Sequence, residues 1–229
     1  MNERSTVSVV HAENSSSPNV NTTITAIKTG ASGESVQIRF SDGSSFFISP
    51  ESYADLAIRC DMPVTEELRE ELQRASDFHA AVHKALQLSA RRDHARYEMN
   101  LKLRQRGFSD DIINRALARL QRFGIIDDRR FAENWLYSRM QKKNEGPQKI
   151  KAALLKKGVD THIVEEVMQS HLTPERIEGS LAAATERAII RSGGDQAKFV
   201  RMLQNRGFSW SLIKKDSIDK FIKYYNNLH

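Results

Sequence analysis

The segments MNLKLRQRGFSDDII (99–113), IKAALLKKGVDTHIV (150–164) and FVRMLQNRGFSWSLI (199–213) superpose without a gap. Taking the glycines Gly107, Gly158 and Gly207 as origin, the eighth residue before is Met99, Ile150 or Phe199, and the fourth before is Leu103, Leu154 or Leu203. The residue after the glycine is Phe108, Val159 or Phe208, and the next is Ser109, Asp160 or Ser209. Apolar residues return at Ile112 and Ile113, Ile163 and Val164, Leu212 and Ile213. The glycines stand 51 and 49 residues apart, the period of a structural repeat. The first two apolar positions share a helical stripe, the glycine ends that helix in the left-handed conformation, and the residue after it folds back as the hydrophobic contact of a Schellman motif. Ser or Asp then caps the next helix. Gly107, Phe108, Gly158, Val159, Gly207 and Phe208 are therefore read first as structural joints.

Working outward, Asp127 and Asp128 open a further helix through Phe131, Trp135, Leu136 and Met140, which stops before Gly146-Pro147. Thr173-Pro174 opens the helix closing the second copy, Gly193-Gly194 releases the third, and only two helices are expected to fit before His229. Upstream, Ile24 and Ala26, then Val36, Ile38 and Phe40, then Phe46 and Ile48 alternate between turn-rich stretches, which predicts a small antiparallel β-meander packed on the segment after it. Ser49-Pro50 starts a short helix to about Arg59, and Pro63 and Thr65 start a longer one. The expected organisation is a disordered tail (1–21), a β-meander (22–49), acidic linking helices (50–80) and helical repeats over 81–145, 146–192 and 193–229. The fold class is mostly α: tandem three-helix repeats in an elongated curved array, with the β-meander at the N-terminus.

Charge divides along the same line. The net +6 resolves into 6 Lys/Arg against 12 Asp/Glu in residues 1–78, and 29 against 17 in residues 79–229. A field of +12 over the repeats attracts a polyanion or a nucleoprotein surface. The one cysteine, Cys60, excludes an internal disulfide and points to a reducing cytoplasm. No apolar run approaches the ~18 residues of a membrane span, and the first residues contain no apolar signal segment.

The strings Arg91-Arg92-Asp93-His94-Ala95-Arg96-Tyr97-Glu98, Leu103-Arg104-Gln105-Arg106-Gly107-Phe108 and Gly124-Ile125-Ile126-Asp127-Asp128-Arg129-Arg130-Phe131-Ala132-Glu133 resemble the most diagnostic stretch of the RecX family of recombination regulators. Arg139, Gly146-Pro147 and Leu155-Lys156-Lys157-Gly158-Val159-Asp160 continue the resemblance, which covers about residues 85–170 and thins in the third repeat. Arg92-Asp93-His94 departs from the commoner Arg-Glu-His or Arg-Glu-Tyr and keeps its charge alternation. The β-rich start is variable or absent in much of the family. The resemblance implies tandem three-helix repeats that bind the RecA recombinase, above all its filament on single-stranded DNA, and inhibit ATP hydrolysis, strand exchange and coprotease activity.

Candidate contacts with RecA or DNA are Arg91, Arg92, Arg96, Arg104, Arg106, Arg129, Arg130, Arg139, Lys142, Lys143, Lys149, Lys156 and Lys157, since phosphate contact needs several cations at once. Among nearby aromatics, Phe123, Phe131 and Trp135 are expected in the core, and Tyr137, off that stripe, at a contact surface. No phosphate-binding G-x-x-x-x-G-K-[ST] occurs; His79 and His83 share a helical face without a third ligand; Cys60 has no adjacent base. No cofactor, metal or catalytic residue is expected, and the chain is expected to act as a monomer. The competing readings are a DNA-binding helical protein independent of a recombinase, and a helical protein-interaction scaffold. Against the former, no short helix is read as carrying the Arg, Asn and Gln set of base readout.

Overall fold

A computed structural model describes residues 22–227, so the expected tail over 1–21 lies outside the described residues. The described residues divide into two compact units, with the boundary between residues 79 and 80.

In the first unit, β1 (Ile24–Thr29), β2 (Val36–Phe40) and β3 (Ser45–Ile48) form an antiparallel sheet in the order β1-β2-β3. Alternation puts Ile24, Val36, Ile38, Phe40 and Ile48 on one buried face, where they meet Ile58 and Leu72. Leu72 belongs to α2 (Glu66–Ser89), whose first turn is capped by Thr65 Oγ1 accepting from Leu68 N at 3.2 Å. Between them, α1 (Pro50–Leu56) is capped by Ser49 and carries proline at its start. It ends earlier than Arg59, because Ala57 turns into the left-handed region at φ 46°.

In the second unit the repeated segments form paired helices: α3 (Arg96–Arg104) with α4 (Asp110–Arg122), α6 (Pro147–Lys156) with α7 (Thr161–His171), and α9 (Gln196–Asn205) with α10 (Trp210–Asp216). α5 (Asp128–Lys143) follows α4, α8 (Pro174–Ser192) follows α7, and α11 (Ile218–Asn226) follows α10. The joint glycines have φ of 85°, 74° and 90°. Val159 N donates to Leu154 O and Phe208 N to Leu203 O, both at 3.3 Å, the long bond of the Schellman motif, while Val159 and Phe208 are buried. Phe108 is partly buried against the first helical core.

The third repeat has three helices rather than two. The chain bends at Ser217, which is fully buried at φ −118°, with its hydroxyl 2.8 Å from that of Thr185 on α8. The bend carries Phe221 onto Phe199, with ring centroids 4.7 Å apart. A polar pair in a core is stable only when both members are satisfied, and this pair satisfies itself.

Buried side chains group the helices one step out of phase with the sequence boundaries at 145/146 and 192/193. Met99 and Leu103 of α3 and Ile113, Leu117 and Leu120 of α4 share a core with Ala85 from the end of α2. Phe131, Ala132, Leu136 and Met140 of α5 join Ile150, Leu154, Val164 and Val167 of α6 and α7. Leu181, Ala184 and Ala188 of α8 join Phe199, Leu203, Phe208, Ile213 and Phe221. Gly146-Pro147 stops a helix without separating two cores, because the apolar stripe of α5 faces forward along the chain.

The joints are also where neighbouring repeats touch. A Cβ on Gly158 would lie 2.4 Å from Cβ of Tyr97 on α3, and one on Gly207 would lie 2.4 Å from Lys149 N on α6. Gly146 N donates to Arg206 O at 2.7 Å and Gln148 N to Gly207 O at 3.1 Å, so the start of α6 is hydrogen-bonded to the third joint. Gly207→Ala should therefore cost more than the ~1–2 kcal/mol of a left-handed alanine, since backbone must also shift. Gly193→Ala, at φ 65° with open space around it, should cost only that strain. Urea unfolding of the two variants measures the difference; equal losses would show that the close approach at Gly207 carries no energy.

Candidate functional site

The basic side chains separate into those held by the protein and those left to solvent. Around Trp135 on α5, cations and carboxylates alternate in a chain. Arg92 donates two bonds to the carboxylate of Glu98 on α3. Lys157 Nζ lies 3.6 Å from Glu98 and 4.4 Å from the Trp135 ring centre. Arg139 covers the same ring at 4.2 Å and approaches Glu145 at 3.7 Å, which Lys149 also meets at 3.4 Å. Glu98 and Glu145 are largely shielded, so these attractions are less screened than exposed pairs. Burial by itself would raise the Glu98 carboxyl, but the bond from Arg92 and the charge of Lys157 outweigh it and hold it below its ordinary 4.5.

A second group fixes the chain between α4 and α5. Arg130 donates to Gly124 O at 2.9 Å and Ile125 O at 3.0 Å, and Asp127 caps α5 by accepting from Arg130 N at 3.0 Å. Arg96 N donates to Asp128 at 2.7 Å, and Arg96 Nε to Gln121 at 3.0 Å. Burial pushes the Asp128 carboxyl above its ordinary value despite the bond from Arg96. Arg129 pairs with Glu166, Arg104 with Asp110 at 2.7 Å, and Arg106 donates to Lys102 O. Exposed pairs such as Arg104–Asp110 contribute about 0–1 kcal/mol and can be exchanged for a phosphate; Arg130, bound to two carbonyls, is held more firmly.

Among the described residues, Arg91, Lys142, Lys143 and Lys156 have exposed side chains with no ion-pair partner. Arg91 follows α2, Lys142 and Lys143 end α5, and Lys156 ends α6. The carbonyl of Lys143 accepts from Arg206 at 2.7 Å, fixing the backbone under those two lysines.

Phe131 is buried and Trp135 partly so, while Tyr137 is exposed beside an open groove of about 350 Å³ between α5 and α8. Phe123 departs from its expected place in the core: it is 60% exposed, because α4 ends at Arg122 and Phe123 falls beyond the buried stripe. α4, 13 residues long, bears on the expectation that no short helix carries the Arg, Asn and Gln set of base readout. Its stripe of Ile112, Ile113, Ala116, Leu117 and Leu120 is buried, and Asn114, Arg115, Arg119, Gln121 and Arg122 lie outside it. The missed signal is the recurrence of arginine at 115, 119 and 122, one helical face rather than one run.

Among the described residues, no three His, Cys, Asp or Glu side chains group as a metal site requires, and no helix is long and apolar enough to cross a membrane.

The architecture is that of a tandem three-helix repeat protein. The family description "RecX, first three-helix domain" matches residues 81–120 and "RecX, second three-helix domain" matches 127–168, so each spans helices that share one core. The regulatory protein RecX of Chlorobaculum tepidum is 35% identical over 138 residues, 59% of this chain and 85% of that protein. The regulatory protein RecX of Mycobacterium tuberculosis is 33% identical over 165 residues, 69% of this chain and 90% of its own. Among solved structures, a crystal structure of regulatory protein RecX superposes with a TM-score of 0.72 at 16% identity, covering 85% of this chain and 98% of that one. The crystal structure of RecX from Lactobacillus salivarius gives 0.56 at 26% identity, covering 66% and 98%. The chain belongs to the RecX family, a family of regulatory proteins.

The site's supporting shell has a definite acid response. Burial, reinforced by the charge of Arg92, holds the imidazole of His94 below its ordinary 6.5, and His94 Nδ1 donates to Arg92 O at 2.9 Å. As pH falls through 6.5 the unfolded chain takes up this proton first, so folding stability declines. Glu98 adds a loss of the same sign below 4.5, while the raised Asp128 opposes it in acid, its cost being relieved on protonation. Urea unfolding should show stability dropping between about pH 7 and pH 5, and His94→Asn should flatten that limb. An unchanged slope in the variant would assign the dependence to other groups.

Proposed function

We propose that this chain binds the RecA recombinase and its filament on single-stranded DNA and inhibits ATP hydrolysis, strand exchange and coprotease activity, thereby modulating DNA repair, recombination and the SOS response. It acts in the cytoplasm as a monomer, with neither cofactor nor catalysis of its own. Membership of the RecX family carries this reading. A second support is the placing of Arg91, Lys142, Lys143 and Lys156, exposed cations of the candidate set that make no ion pair.

A recombinase filament presents a helical groove with DNA phosphate at its depth. Successive helical units lying along that groove contact successive protomers and hold them in one relative arrangement, which blocks the closure needed for nucleotide hydrolysis and the entry of a second strand. Each weak contact raises the effective concentration of the next. The cations that pack on Trp135 keep the units in shape, while the unpartnered ones meet phosphate or carboxylate on the filament.

Adding this protein to RecA hydrolysing ATP on single-stranded DNA should suppress turnover near equimolar amounts; undiminished turnover there would overturn the reading. Replacing Arg91, Lys142, Lys143 and Lys156 together by Gln should weaken inhibition and flatten its salt dependence by about 0.7 in the log–log slope for each phosphate no longer neutralised. Full inhibition with an unchanged slope would exclude these four cations from the interface.

A further inference from the structure

We propose that Phe123, with Arg119 and Arg122, forms a stacking site for an unpaired base of single-stranded nucleic acid. The first observation is the exposure of the ring: 60% of Phe123 faces solvent, and nothing lies within 4 Å of where a Cβ on neighbouring Gly124 would stand. The ring thus stands open at the C-terminal end of α4, where a flat partner can approach it.

The second observation is charge. Arg119 and Arg122 each place their guanidinium carbon 5.5 Å from the ring centre. Around Trp135 the corresponding distances are 4.2 Å to Arg139 and 4.4 Å to Lys157, and there the cations pack closely on the ring. At Phe123 both guanidinium groups lie over the ring but farther out, and most of the residue still faces solvent. Arg115 extends the same side of α4, its charge shared with Asp111 at 3.7 Å, and Arg96 approaches through Gln121. The nearby carboxylate of Asp127 is engaged in capping α5.

The third observation is rigidity. Ile125 N donates to Leu120 O at 2.9 Å and buried Ile126 N to the same oxygen at 3.3 Å, while Arg130 grips the carbonyls of Gly124 and Ile125 from α5. The ring therefore sits on a fixed mount, and stacking on it carries little ordering cost.

An unpaired nucleotide supplies a flat π-face and a phosphate within one residue, matching an aromatic ring flanked by guanidinium groups. An acidic peptide supplies the charge without the flat face, and a duplex keeps its bases stacked within itself. The occupant is thus single-stranded, and its recognition is tolerant of sequence, since every base has a π-face.

Binding is measured without any recombinase, so the outcome is separate from the inhibition experiment. The full chain is titrated by fluorescence anisotropy into a labelled oligothymidylate of about 20 nucleotides and into an abasic strand of equal phosphate count, at about 0.1 M salt. The wild-type protein should prefer the strand with bases. Phe123→Ala should weaken oligothymidylate binding about 5- to 100-fold, leave the abasic strand unchanged, and Phe123→Trp should restore affinity. Arg122→Gln should weaken both strands alike. Equal binding of the two strands by the wild-type, no measurable binding of oligothymidylate, or wild-type affinity in Phe123→Ala would overturn the proposal. So would equal loss on both strands in Phe123→Ala, which is the mark of a structural role; far-UV circular dichroism accompanies each variant.

Discussion

The helical unit depends on backbone meeting backbone at its joints. Where α6 begins, Gly146 N reaches Arg206 O and Gln148 N reaches Gly207 O, with no side chain interposed. Two chains approach this closely only where Cβ atoms are missing, and both Gly146 and Gly207 occupy space into which a Cβ would collide with main-chain atoms. The contact orients the third joint against the start of the second repeat, and Arg206 extends the tie by donating to Lys143 O. Gly158 makes the corresponding approach to the side chain of Tyr97, one repeat earlier. The direction in which each repeat follows the last is thus set at the residue that also ends its helix, so one glycine serves both local and tertiary geometry.

Much of the positive charge belongs to this framework. A guanidinium and an ammonium on one indole ring would repel strongly in a dry interior, yet Arg139 and Lys157 both pack on Trp135. Glu98, 3.6 Å from Lys157, and Glu145, 3.7 Å from Arg139, compensate the repulsion, while each cation gains from the ring's quadrupole, about 0.5–2 kcal/mol for such contacts. The long stems of the same side chains also cover the ring's apolar faces. A formal net charge therefore overstates the charge available to a polyanion.

The repeat, its left-handed glycines and the apolar residues folding back behind them were readable because they obey local rules: a fixed helical stripe, a required φ, a cap. The meander was readable for the same reason, through alternation at Val36, Ile38 and Phe40. The features that escaped the sequence depended on partners distant in the chain. Nothing within Lys214–Lys220 marks Ser217 as a bend, since its buried hydroxyl is satisfied only by Thr185 on another helix. Gly146-Pro147 announces the end of α5 but not that its apolar face belongs with α6 and α7. Phe123 follows a periodic stripe and looks like its continuation, yet the helix ends one residue sooner and leaves the ring outside. Adjacent basic pairs stand out in the sequence as candidate contacts, whereas pairing depends on carboxylates such as Glu98 and Glu166 that come close only in three dimensions.

Rigid joints have a consequence for any extended target. Linked sites gain affinity over single ones only when their spacing matches the target, and a stiff connection makes that condition strict. A flexible chain of three-helix units would bind many polyanions moderately, each unit finding phosphates independently. Units held through Gly158 against Tyr97 instead present Arg91, ahead of α3, and Lys142, Lys143 and Lys156, on α5 and α6, at a spacing they cannot adjust cheaply, which in the recombinase reading favours a target with a regular repeat over an irregular one. Electrostatic attraction by itself discriminates poorly between one polyanion and another; the discrimination comes from holding the charges still. In the recombinase reading, the glycine joints therefore contribute to partner choice without touching the partner, and loosening one would erode preference for the filament over free DNA before it eroded attraction to either.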